Sequence, residues 1–212
     1  TQTAVVPGRS GALHIWDGAW DEVLMTVECY LPYEQGAGVS PPETLAAWLT
    51  GEGWLTLSNR PGRRFRARLT DSVGLAAWVE GFADRIFSLP FWADPFGYEA
   101  APTAYTRTAP FDLVNPGSVF AMPLIQLNAT GDISLTIGEK TADIAGVPAQ
   151  IDALPGPITI DVAAGLVYKG ETNLTGYAST DDWPLSIPVG ISPVSWTGNV
   201  TQLTIQPNWR WL

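Results

Sequence analysis

The chain has 212 residues, 46% of them hydrophobic and 15% charged, which supplies enough apolar surface for a core and lacks the signature of disorder. A formal net charge of −10 excludes the broad basic face that phosphate neutralisation demands, so general nucleic-acid binding is not expected. One cysteine, Cys29, excludes an internal disulfide and a cysteine-based metal site, and no window approaches the about 18 apolar residues of a membrane span.

The length fits one large β domain or two modest ones, and two is the expectation. Gly 21, Pro 18 and Trp 10 point to many short strands joined by tight turns, because Gly and Pro break long helices and large aromatics favour pleated surfaces. The fold class read from the residues is all-β with one short helix. The N-terminus lacks the order of a signal peptide, so synthesis in the cytoplasm is expected; Thr1 is not a methionine, which leaves the start of the first domain open.

Residues 21 to 31 alternate, with Val23, Met25, Val27, Cys29 and Leu31 on one face and Glu22, Thr26, Glu28 and Tyr30 on the other, the pattern of a half-buried strand. A helix follows, with Ser40 as N-cap, Pro41 at its first position, Glu43 three residues after the cap, and Leu45, Trp48 and Leu49 on one face. Gly51 ends it. Leu55 and Leu57 mark a short strand, and Arg60-Pro61-Gly62 is a turn into another at residues 64 to 69. There Phe65, Ala67 and Leu69 face inward, and Arg64, Arg66 and Arg68 form a stripe on the opposite face. A strand at 85 to 91 ends in an expected aromatic turn, Trp92 to Tyr98. Residues 99 to 118, rich in Ala, Thr, Pro and Gly, hold the expected boundary between domains 1–112 and 113–212. Beyond it, apolar β runs at 133–137, 158–162 and 203–205 read as a β-sandwich.

Catalytic chemistry finds little footing. His14 is the single histidine, which excludes multi-histidine metal sites, and a lone His beside a Trp is more often structural than an imidazole base for Asp17 or Asp21. The carboxylate pairs Asp21-Glu22 and Asp181-Asp182 are adjacent, so in a strand they point to opposite faces, which spoils a glycosidase geometry. No glycine-rich phosphate loop opens a helix. Sequons at Asn128, Asn173 and Asn199 are of the kind chance supplies in a threonine-rich β chain. The charge anomaly is Arg60, Arg63, Arg64, Arg66 and Arg68, five of the 11 Lys and Arg residues within nine positions. Two readings stay open: a solvated strand face, or a contact with acidic groups of a neighbouring subunit. The tryptophans read as core or interface residues, Trp48 as core on the helix stripe. The rival reading is a carbohydrate-binding β-sandwich with Trp183 or Trp196 as a stacking surface.

The order of four stretches resembles the distal tail protein family of siphophages. They are Pro7-Gly8-Arg9-Ser10-Gly11, Trp48 to Leu55 (WLTGEGWL), Ser58 to Arg68 (SNRPGRRFRAR) and Asp94-Pro95-Phe96-Gly97-Tyr98. The second half matches in outline through Val114-Asn115-Pro116-Gly117-Ser118 with Met122-Pro123, Pro184-Leu185 through Gly190, and Pro207-Asn208-Trp209-Arg210-Trp211. The sequence departs from the family's pattern at its beginning, where an additional strand is usual before the Pro-Gly segment and none is read here. The resemblance implies a β-barrel-like, ring-forming first domain, usually in hexamers, followed by a peripheral galectin-like β-sandwich. It implies a virion protein of the tail tip whose partners are its own copies, the tail tube protein and a baseplate or tail-associated protein. DNA would pass the ring's lumen without specific binding. No enzyme activity, cofactor, metal or membrane contact is expected. Candidate inter-subunit residues are Arg60, Arg63, Arg64, Arg66, Arg68 and Trp48.

Overall fold

The structure, a computed structural model, describes residues 2–4, 10–11, 13–15, 18–32, 49–70, 84–179 and 182–212. The expected helix from Ser40, with Trp48, lies outside these residues; its expected terminator, Gly51, has φ +82°. The protein is nearly all-β. The chain divides into two compact units, Thr1–Asn59 with Arg64–Gly97, and Arg60–Arg63 with Tyr98–Leu212.

In the first unit, β1 (Gln2–Ala4), a strand ahead of Pro7-Gly8 where the sequence reading found none, pairs antiparallel with β2 (Leu13–Ile15). β3 (Val23–Pro32) runs antiparallel to β6 (Asp84–Glu99), from Val23 opposite Ala93 to Pro32 opposite Asp84. β4 (Glu52–Thr56) pairs with β5 (Arg63–Leu69), and β5 with β6. Alternation sends Phe65, Ala67, Leu89, Phe91 and Ala93 into a small core, with Met25, Val27, Cys29, Leu55 and Leu69 packed against it. Val23, expected inward, is instead 48% exposed, being the first residue of its strand.

The aromatic segment after residue 91 is strand, not turn, since β6 continues to Glu99. Its Asp-Pro and Gly residues imitate a turn locally, but the β3 ladder ends at Ala93, so the missing N–H of Pro95 interrupts no bond to β3.

Cys29 is half-buried, and desolvation pushes its thiol pKa up from the ordinary range. A raised pKa lowers the thiolate fraction at any pH below it, and the thiolate is the nucleophile. Alkylation by iodoacetamide at pH 8, followed by mass spectrometry, should therefore run slower than for free cysteine; an equal or faster rate would contradict this burial.

The second unit is a β-sandwich around one core. β9 (Leu124–Ile137) and β14 (Gly190–Gln206) form its long antiparallel spine. Along β9, β11 (Ile158–Asp161) pairs with the first half and β10 (Lys140–Ile144) with the second. Outward from β11 come β12 (Leu166–Lys169) and β13 (Thr172–Asn173). On β14 lie β7 (Tyr105–Arg107) and β8 (Phe111–Asn115). Two of the elements are therefore inside the Ala- and Pro-rich stretch 99–118, which looked like a connector. The helical elements among the described residues are one α-helical turn, α1 (Ala149–Asp152), and a 3-10 turn at Thr175–Tyr177, neither of which the sequence reading foresaw. Leu135, Ile137, Ile158, Ile160, Leu203 and Ile205, alternate positions of the anticipated β runs, are essentially inaccessible to solvent, and so are Ile125 and Leu127 in the first half of β9, which the sequence reading did not single out. β15 (Arg210–Trp211) closes the chain; beside it Glu99 N donates to Trp209 O at 3.3 Å.

Candidate functional site

The arginine cluster begins in a β-turn, where Arg63 N donates to Arg60 O at 3.0 Å. From there β5 presents Arg66 and Arg68 outward while Phe65 and Ala67 are buried, as alternation requires. The outward arginines are occupied within the chain. Arg66 forms an ion pair with Glu52 on β4, and Arg68 donates to Glu22 at 2.8 Å, just before β3. The guanidinium of Arg64 lies over Trp54 at 4.1 Å from the ring centroid, its Nε buried without a hydrogen bond. That of Arg63 lies over Trp211 at 3.2 Å. Arg60 is exposed. The stripe is therefore a neutralised, partly stacked array rather than a free positive patch.

The same face of this sheet carries apolar surface. Leu24 and Trp92 are register partners on β3 and β6, 53% and 38% exposed, and Trp54 on β4 is 50% exposed. Solvated side chains of this size have little to gain in water. Trp and Arg together are the composition of energetically dominant interface residues. Leu24 and Trp92 are the functional candidates sequence reasoning missed. Their signal was present: each is a large apolar residue at a position whose neighbours in the alternation, Met25 and Phe91, already face the core.

The other candidates do not converge. His14 stands opposite Thr3 in the β1–β2 pair, while Asp17 and Asp181 lie outside the described residues. Glu22 is bound to Arg68, and Asp182 Oδ2 accepts from Thr141 N at 3.1 Å, a structural tie. Among the described residues, no three or more His, Cys, Asp or Glu side chains are grouped so as to hold a metal ion, and no helix is long and apolar enough to cross a membrane. Trp183 and Trp196, the stacking surface of the rival reading, are half-buried and packed against the sandwich core. Trp209, left open between core and interface, is core at 2% exposure; Trp211 Nε1 donates to Pro116 O at 3.1 Å.

The cations of the sandwich are also turned inward. Residues 113–212 contain eight acidic residues (Asp132, Glu139, Asp143, Asp152, Asp161, Glu171, Asp181, Asp182) and three basic ones, 8 − 3 giving a net charge of −5. All three basic ones bond carbonyls: Lys140 to Pro184 O at 2.7 Å, Lys169 to Asp152 O at 2.6 Å and Arg210 to Phe120 O at 2.7 Å. Lys169 and Arg210 are buried, so the exposed charge of this segment is predominantly acidic.

No protein-family model and no curated protein matches the sequence. Among solved structures, the chain is similar to the SPP1 Dit protein, described as a paradigm of the hub adsorption apparatus in phages that infect Gram-positive bacteria. The two share 15% sequence identity with a TM-score of 0.70, and the match covers 100% of this chain and 87% of that one. At that identity the likeness is one of fold, and it runs through both units: this chain has the fold of a phage distal tail protein.

Proposed function

We propose that this chain is a non-enzymatic structural subunit of the tail tip of a long-tailed bacteriophage or prophage. The observation that carries the reading is the fold shared along the whole chain with a phage hub protein. Residues 1–112 supply a ring of identical subunits, a hexamer as in the family the sequence resembles, and residues 113–212 supply the galectin-like sandwich. The ring joins the tail tube protein to a baseplate or tail-associated protein and passes DNA through its lumen. A chain of net charge −10 suits that passage, because it gives a duplex no general electrostatic grip. No bond is made or broken in this role, so it needs no cofactor, metal or membrane contact.

Subunits that close by rotation use heterologous interfaces, each burying on the order of 1,600 Å² in total. The outward face with Leu24, Trp54, Trp92 and the Arg64–Arg68 array is the proposed contribution of the first unit, and Arg60, Arg63 and Trp48 remain further proposed inter-subunit residues. Size-exclusion chromatography with light scattering, then negative-stain imaging of the full chain, tests the ring. Persistent monomers, even with the tail tube protein added, would sink it.

The double variant R66E/R68E tests the face. Arg66 and Arg68 side chains are 57% and 53% exposed, and exposed ion pairs of this kind contribute about 0–1 kcal/mol each, so the melting temperature should change little. Assembly should weaken at least about tenfold in dissociation constant, the effect of ~1.4 kcal/mol at an interface. An unchanged oligomer would assign the arginines to a solvated strand face.

A further inference from the structure

The sandwich contains a cleft of about 390 Å³ lined by residues from β9, α1, β12 and β14. Its volume falls within the about 300–1,000 Å³ range of small-molecule sites. Asn128 and Thr130 come from β9, Asn199 and Thr201 from β14, and all four are exposed. Asp152, on α1, and Lys169, the last residue of β12, complete it.

Lys169 is 2% exposed, a charge held in the sandwich by its bond to Asp152 O at 2.6 Å. Its Nζ stands 3.9 Å from Asp152 Oδ1, too far for a hydrogen bond, and Oδ1 is buried with no hydrogen-bond partner. The other carboxylate oxygen accepts from Gly131 N at 3.0 Å. An ammonium has three donors, and buried polar groups left unmatched are costly. Lys169 and Asp152 therefore form a charged, buried floor beneath the exposed amides and hydroxyls of the cleft.

Around that base, the amides and hydroxyls form a prearranged set. Asn199 Nδ2 donates to Thr130 Oγ1 at 2.6 Å, Asn128 Nδ2 to Gln202 Oε1 at 3.1 Å, and Thr201 Oγ1 to Asn128 O at 3.0 Å. These bonds fix the side chains while leaving the Oδ1 atoms of both asparagines and the Thr130 hydroxyl hydrogen for a ligand. Mixed donors and acceptors at close spacing suit groups that do both, which vicinal hydroxyls do.

We propose that this cleft binds a neutral saccharide through its hydroxyl groups. The alternatives fit poorly: the Asp152 carboxylate and the acidic surroundings oppose a phosphate or other anion, and one carboxylate beside an ammonium opposes a metal ion. Leu154, 38% exposed, is the apolar edge, and no aromatic ring lines the cleft. Without stacking, single-site affinity is weak, with Kd on the order of 1 mM. Several copies presented together would raise the avidity by about 10²–10⁴. The site itself does not depend on ring closure, so a monomeric preparation tests it equally well.

Saturation-transfer NMR on the full chain, with glucose, galactose and N-acetylglucosamine as probes, reads the binding directly. At least one probe should give a signal that falls fivefold or more in N128A/N199A, whose exposed positions spare the core. T201A is the second variant should the first not fold, with an unchanged melting temperature as the control. Silence from all three sugars at about ten times a millimolar Kd would overturn the proposal. So would a signal unchanged in the variants, which puts the sugar elsewhere, or displacement of the sugar by inorganic phosphate, which makes the cleft an anion site.

Discussion

Replacing Asn115 by alanine should lower the stability of the sandwich by about 3–5 kcal/mol, the cost of orphaning several buried polar groups at once. Asn115 is 2% exposed at the end of β8. Its Nδ2 donates to Val119 O and to Ile187 O, both at 3.1 Å, and its Oδ1 accepts from Gly117 N at 2.8 Å. One side chain thus organises the turn after β8 and ties it to the segment before β14. Alanine leaves the buried Gly117 N–H and Val119 O without partners, and leaves Ile187 O with only its 2.8 Å bond from Ala121 N. A domain of this size loses roughly 4–8 °C of melting temperature per kcal/mol, so a fall well above 10 °C is expected. Asn115→Asp retains the acceptor for Gly117 N but faces a carboxylate toward two carbonyl oxygens, and should be no better than alanine. A fall under about 3 °C for N115A, measured by calorimetry or circular dichroism, would mean that the network holds little.

Asn115 also illustrates what the sequence makes legible. Asn-Pro-Gly is readable as a turn because its signals are local, whereas the tie to Ile187 spans 72 residues and leaves no trace in spacing. Met25, Val27 and Cys29 of β3, the inward set of β5 and the three apolar β runs were readable for the same local reason, since strand period largely decides which side chains meet the core. Where a strand outlasts its local signals, reading fails. β6 runs through Asp94-Pro95, and β14 runs through Pro193 and Gly198, because hydrogen bonding to distant partners outweighs the breaking tendency of those residues. The helix expected from Ser40 remains a sequence expectation.

Chemistry was legible only as composition. Five arginines in nine positions announced an unusual surface, but their acidic partners lie 14 and 46 residues from Arg66 and Arg68. Their neutralisation changes the meaning of the stripe. In place of an attractive positive patch, the proposed interface becomes a face where ion pairs set register and Leu24, Trp54 and Trp92 supply the apolar area. Mutating the ion pairs therefore probes specificity, and truncating Trp92 probes affinity. The cleft was further from reach, since its residues come from four elements and Asn128, Thr130, Asn199 and Thr201 appear in sequence as the ordinary polar alternates of strands.

The second large effect is expected at Gly198, in the corner of the β9–β14 spine. The register of that pair shifts between Thr197 and Asn199, and Gly198 adopts φ +91°, a conformation L side chains rarely take. A Cβ there would run into Asp132 O and lie 3.1 Å from Ile133 Cα and 3.2 Å from its Cγ2. These are backbone and core atoms with little room to yield. Gly198→Ala should therefore cost about 3 kcal/mol or more, combining ~1–2 for the left-handed backbone with ~1–3 for overpacking. Gly131, in the facing strand, has φ +73° but nothing within 4 Å of a built Cβ, so Gly131→Ala should carry the backbone cost alone. The difference between the two melting temperatures isolates the close approach, and equal losses would show that it contributes nothing. Because Thr130 and Asn199 flank this corner and bond each other across it, G198A should also loosen the cleft they line. Saccharide binding should then fall even at temperatures where the variant remains folded, while R66E/R68E leaves it untouched.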